Sequence, residues 1–76
     1  MRKLQIMLNS TEDVQEFVNT ASRCPFEIDL ESGSVYIDAK SFLGVLTMGI
    51  NRKLEVHCGN NEAAFLNSFK KFAIAG

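Results

Sequence analysis

The hydrophobic period changes several times along the chain, and each change falls at a turn or capping signal. In residues 2 to 8, Leu4, Ile6 and Leu8 alternate with Lys3, Gln5 and Met7, which predicts a half-buried strand. The cluster Asn9-Ser10-Thr11 then precedes Glu12 and Asp13. Val14, Phe17, Val18 and Ala21 follow at i, i+3, i+4 and i+7, the apolar stripe of a helix capped at Ser10. Pro25 closes this region. Phe26, Ile28 and Leu30 alternate with Glu27, Asp29 and Glu31 as far as a Ser32-Gly33 turn, and Val35 and Ile37 then alternate with Tyr36 and Asp38, which predicts a hairpin. A second helix starts at Ser41 and ends at Gly49, a residue that tolerates positive φ. Leu54, Val56 and Cys58 alternate with Glu55 and His57. After a Gly59-Asn60 turn a last helix carries Phe65, Leu66, Phe69, Phe72 and Ala73 on one side, with Lys70 and Lys71 near its negative end.

The predicted order is β-α-β-β-α-β-α. Every strand alternates, so each has one wet face, as expected of an α+β fold: an open-faced sandwich of a four-stranded antiparallel sheet with three helices on one side. No linker or repeat divides the chain, which reads as one domain over residues 1–76. The uncovered face would carry Gln5, Glu27, Asp29, Tyr36, Asp38, Glu55 and His57, a mixed surface that leans acidic. The second helix has a surplus of apolar positions. Val45 and Met48, with Ile50 just beyond, are expected to turn inward, leaving Phe42, Leu43 and Leu46 as a patch at least partly exposed beside the helix start at Ser10.

Composition narrows the function classes. An apolar fraction of 46% and a charged fraction of 22% are those of a chain that folds. A net charge of -1 without a run of cations supplies no footprint for a phosphate backbone or an anionic membrane, so neither nucleic acid nor membrane is an expected partner. No apolar run approaches the roughly 20 residues that span a bilayer, and the first residues do not resemble a signal peptide; a cytoplasmic protein is expected. Cys24 and Cys58 lack CxxC spacing and further partners, so they are expected as reduced thiols, with no metal or other cofactor implied.

Few residues suggest chemistry. His57 is the only histidine, expected to face solvent and pair across strands with Glu or Asp; as a general base it lacks a visible pocket and orienting group. Cys58 alternates with Leu54 and Val56 and reads as a small buried hydrophobe, whereas Cys24 reads as a loop thiol without a neighbouring cation. Phe65, Phe69 and Phe72 read as core.

The element order together with Asp38-Ala39-Lys40-Ser41, the apolar run Phe42 to Leu46 and Thr47-Met48-Gly49-Ile50 resembles the HPr family, the histidine-containing phosphocarriers of the bacterial sugar phosphotransferase system. Phe17, Val18 and Ala21 match the family's first helix at the same offset, and the resemblance covers essentially the whole chain. It implies the βαββαβα fold. It also implies a phosphoacceptor histidine at the start of the first helix, but on this offset that position is Ser10, the neighbouring arginine is Glu12 and the proline is Asp13. Two carboxylates thus stand where a phosphohistidine would need a cation and a positive helix end. Ser10, Thr11, Glu12 and Asp13 form a degenerate acceptor motif and a good structural cap. A serine ester would not restore the phosphoramidate chemistry of a relay.

A second family feature is retained. Ser41 matches the serine that an ATP-dependent HPr kinase phosphorylates in one branch of the family, and Lys40 adjoins it. A cap serine needs no regulatory explanation, so a plain N-cap remains the alternative. The reading is a protein without enzymatic activity: an HPr-like binding or regulatory module controlled at Ser41 and docking through Lys40, Phe42, Leu43 and Leu46. By resemblance the partner is a phosphotransferase-system protein, HPr kinase or a transcriptional regulator, and the chain is a monomer or weak dimer. Two other readings stand beside it. One is an active carrier using His57 or a shifted acceptor, which predicts acid-labile phosphate; the other is a structural, self-associating domain, which predicts a dimer.

Overall fold

The computed structural model describes residues 2–58 and 67–74. Its elements are β1 (Arg2–Met7), α1 (Thr11–Ser22), β2 (Ile28–Ser32), β3 (Val35–Asp38), α2 (Phe42–Met48), β4 (Lys53–Cys58) and a C-terminal 3₁₀ segment (Asn67–Phe72). The expected Gly59-Asn60 turn, Phe65 and Leu66 lie outside the described residues.

The four strands pair antiparallel in the order β1-β4-β2-β3. Register places Leu4, Val56, Leu30 and Ile37 in one row across the sheet, on the face covered by the helices. Because side chains alternate, the rows between them belong to the open face. The β2–β3 hairpin closes through Gly33 and Ser34, with positive φ (62°) at Gly33 alone of the two, the pattern of a type II′ turn whose twist matches the flanking strands.

α1 buries Val14, Phe17, Val18 and Ala21, and the Phe17 ring lies 4.9 Å from Phe69 and 5.8 Å from Phe72. The last helix was expected to be of the α type, but residues Asn67–Phe72 form a 3₁₀ helix. At three residues per turn, Phe69 and Phe72 eclipse each other, so both rings meet the single ring of Phe17. Ala73, expected on the apolar side, is exposed. The chain there has left the helical segment to bridge Ile6, and the Ile74 amide donates to the Gln5 carbonyl at 3.1 Å. This contact partly covers the otherwise open edge of β1.

α2 sits on the sheet beside α1, burying Val45 and Met48 as expected. Its contact with β3 is close because residue 44 is glycine: a Cβ there would fall 2.7 Å from Ile37 Cγ2. No described helix is long and apolar enough to cross a membrane.

Candidate functional site

At the start of α1, Ser10 is extended and acts as the N-cap, its Oγ accepting from the Asp13 amide at 3.1 Å. The Asp13 carboxylate in turn accepts from the Asn9 amide at 2.9 Å, a reciprocal arrangement close to a capping box. Thr11 and Glu12 are exposed. The first turn therefore holds a hydroxyl already serving as a cap and two carboxylates, a combination that favours the helix dipole and repels an incoming anion.

α2 is capped in the same way: Ser41 is exposed, and its Oγ accepts from the Gly44 amide at 3.2 Å. Lys40 does not turn toward it, because its Nζ donates to the Cys24 carbonyl at 2.8 Å beyond the end of α1. At the other side of α2, the Asn51 amide donates to the Leu8 carbonyl at 2.7 Å. α2 is thus tied to both flanks of α1. Leu43 is 71% exposed, while Phe42 and Leu46 are half-buried against the core, so the expected patch forms with Leu43 as its outermost member. Ile50, expected to turn inward, is exposed instead. Gly49 at φ 99° and Asn51 at φ 60° reverse the chain after α2 and carry Ile50 out of the helical register.

The open face of the sheet holds a second group. Register aligns Gln5, Glu55, Glu31 and Tyr36 across the four strands, and beside them Lys3, His57, Asp29 and Asp38. His57 was expected to face solvent, yet its side chain is 9% exposed. β4 is an interior strand, and the side chains from other strands described in contact with His57 come from the β2–β3 side. The Tyr36 ring meets it edge-on at 5.5 Å, and Glu31 reaches it diagonally from β2. Its Nε2 lies 2.7 Å from Oε1 of Glu31, the acid partner expected across strands, and 3.2 Å from Oε1 of Glu55 on its own strand. Glu31 itself was not among the residues foreseen on this face. Its place in the same alternation as Asp29 was the available signal, but it adjoins the turn, and only the strand register brings it opposite Glu55.

Desolvation pushes the Glu31 carboxyl upward, but hydrogen bonds from Tyr36 and His57 and the nearby His57 charge together hold it below the usual carboxylate range. The Tyr36 phenol is raised, first by its hydrogen bond to Glu31, then by burial and by the surrounding carboxylates. An adjoining depression of about 230 Å³ is lined by Gln5, Glu31, Gly33, Lys53 and Glu55. Cys24, expected as a loop thiol without a cation nearby, is buried, with Sγ 3.6 Å from the Thr20 carbonyl it donates to. Burial raises its thiol pKa against the opposing pull of Lys40 and Arg23, so it is a poor nucleophile. Cys58 is buried, as expected.

No family model matches the chain, and no curated protein matches it in sequence. Solved structures do. HPr-C-His from Thermoanaerobacter tengcongensis superposes with a TM-score of 0.78 at 20% identity, covering 93% of this chain and 89% of that one. The phosphocarrier protein HPr from Bacillus anthracis str. Ames superposes with a TM-score of 0.69 at 16% identity, covering 96% of each. At these identities what is shared is the architecture, and with the strand order and helix placement described above it establishes that this chain has the HPr-like fold.

Proposed function

We propose that the chain is a cytoplasmic, phosphotransferase-system-related module that binds a protein partner through α2 and carries no phosphate on α1. One observation carries this reading. At the helix start where the resemblance implies a phosphoacceptor histidine, Ser10 is occupied as an N-cap and Glu12 and Asp13 supply negative charge in the first turn. A phosphoryl group there would meet carboxylates rather than a cation. The exposed Leu43, the most exposed of the large apolar side chains among the described residues, is flanked by Phe42 and Leu46 and is the surface assigned to docking. Ser41 is accessible at the start of the same helix, and a phosphate of charge about -1.5 to -2 on it would change that surface. A displaced carrier site at His57 is disfavoured, because its Nε2 is turned onto two carboxylates.

The test is a pair of labelling reactions on the purified chain. Incubation with phosphoenolpyruvate and the first enzyme of the phosphotransferase system is expected to leave no acid-labile phosphate. Incubation with HPr kinase and ATP is expected to add one phosphate, lost in Ser41→Ala, and the phosphorylated and unmodified forms are expected to differ in what they retain from a panel of phosphotransferase-system proteins. Acid-labile label would overturn the reading of α1; a mass unchanged by the kinase would remove the control at Ser41.

A further inference from the structure

The cluster on the open face lies outside the docking surface and the helix caps of the reading above. His57 is the buried polar or charged side chain among the described residues, and it is held on the wet side of an interior strand with its Nε2 aimed at two carboxylates. The three donor atoms, His57 Nε2 and one oxygen each of Glu31 and Glu55, lie within 4.8 Å of one another. Glu31 and Glu55 are direct cross-strand partners, an arrangement that like charges disfavour. With a neutral ring the trio is doubly negative. An imidazolium removes one of those charges, and a divalent cation removes both.

We propose that His57, Glu31 and Glu55 form a binding site for a divalent transition-metal ion, with Zn²⁺ as its representative. One imidazole and two carboxylates suit such an ion, whereas Mg²⁺ and Ca²⁺ take all-oxygen shells of six or more ligands. Tetrahedral zinc at about 2.0 to 2.2 Å from each donor sets donor atoms roughly 3.3 to 3.6 Å apart. The distance from Nε2 to Glu55 Oε1, 3.2 Å, is close to this, and that to Glu31 Oε1, 2.7 Å, opens by roughly 0.6 to 0.9 Å through side-chain rotation. The fourth position faces the solvent side of the sheet and takes water. Tyr36 supports the ligands from β3: its hydroxyl donates to Glu31 and its ring edge fixes His57. Lys53, on the rim of the adjoining depression, is the one opposing charge among the groups lining it.

Zinc chloride titrated into the full chain in a non-chelating buffer at neutral pH tests this, read by calorimetry and by the ¹⁵N resonances of the His57 ring. One ion per chain is expected, with the Nε2 resonance shifted and no displacement by excess Mg²⁺ or Ca²⁺. Tyr36→Phe is expected to weaken affinity by about tenfold without changing stoichiometry, and Glu31→Gln or Glu55→Gln by at least as much. Glu55→Gln relieves a like-charge pair and so keeps the fold, and the ring resonance in the unsubstituted chain needs no variant at all. Absence of binding, or binding that leaves the His57 ring unshifted and survives both Gln substitutions, would overturn the proposal.

Discussion

Gly44→Ala separates two opposing effects on α2, the helix proposed to dock. In a helix facing solvent, replacing glycine by alanine stabilises by about 1 kcal/mol. Here the new methyl would stand 2.7 Å from Ile37 Cγ2, 3.1 Å from Ser41 Oγ and 3.3 Å from Ser41 Cβ. Ile37 is β-branched and stiff at χ1, so its Cγ2 has no easy rotation away from the contact. Overpacking of this kind costs about 1 to 3 kcal/mol, and disturbing the Ser41 cap adds up to about 1 kcal/mol. The clash wins, for a net destabilisation of about 1 to 2 kcal/mol. In urea this lowers the unfolding midpoint by about 1 M with the slope unchanged. Ile37→Ala deletes the opposing methyl, so in that background Gly44→Ala should be neutral or stabilising, whereas Ile37→Val keeps Cγ2 and should give no relief. A Gly44→Ala protein more stable by about 1 kcal/mol, or an equal penalty in the Ile37→Ala background, would refute the close seating of α2 on β3.

Three further outcomes follow from the same geometry. Ser10→Ala removes the acceptor for the Asp13 amide and should cost about 1 kcal/mol in chemical denaturation, while leaving the chain as unreactive toward phosphoenolpyruvate and the first enzyme as before. Leu43→Asn, at a position 71% exposed, should change stability by less than about 0.5 kcal/mol yet abolish partner capture; Val45→Ala, fully buried on the opposite face, should cost about 2 kcal/mol. The Glu31 carboxyl titrates below its ordinary value of 4.5 in the folded chain, so its contribution to stability is present above that pH and is lost as pH falls through the depressed folded value. Glu31→Gln should therefore flatten the acid limb of a stability-versus-pH curve, measured by urea unfolding at a series of pH values, and an unchanged limb would contradict the Tyr36 and His57 hydrogen bonds to this group.

Local signals were legible where a feature depends on a few adjacent residues. The Ser10 cap and its Asp13 partner, the Ser41 start and Gly49 end of α2, and the inward rows of β1, β2 and β4 all follow from side chains within a turn or from strict alternation. Ile50 escaped that logic because two positive φ angles after α2 break the helical count. The final segment escaped it as well, since Phe69 and Phe72 fit the spacing of either helix type and it is the position of Phe17 that rewards the tighter one. Cys24 reads as a loop thiol because part of its surroundings comes from a distant stretch: Lys40, 16 residues away, donates to its carbonyl, in addition to the nearby Thr20 carbonyl that accepts from its thiol.

The sequence by itself determined the order of the four strands and first two helices, the caps and the alternation along β1, β2 and β4, since these are set by periodicity and short-range hydrogen bonding. Tertiary structure alone decided that His57 is buried, that Glu31 and Glu55 converge on one ring nitrogen and that Tyr36 packs against the ring and hydrogen-bonds Glu31. Alternation says which face a residue takes, but its neighbours on that face belong to other strands, and only the register of β2, β3 and β4 brings them within reach.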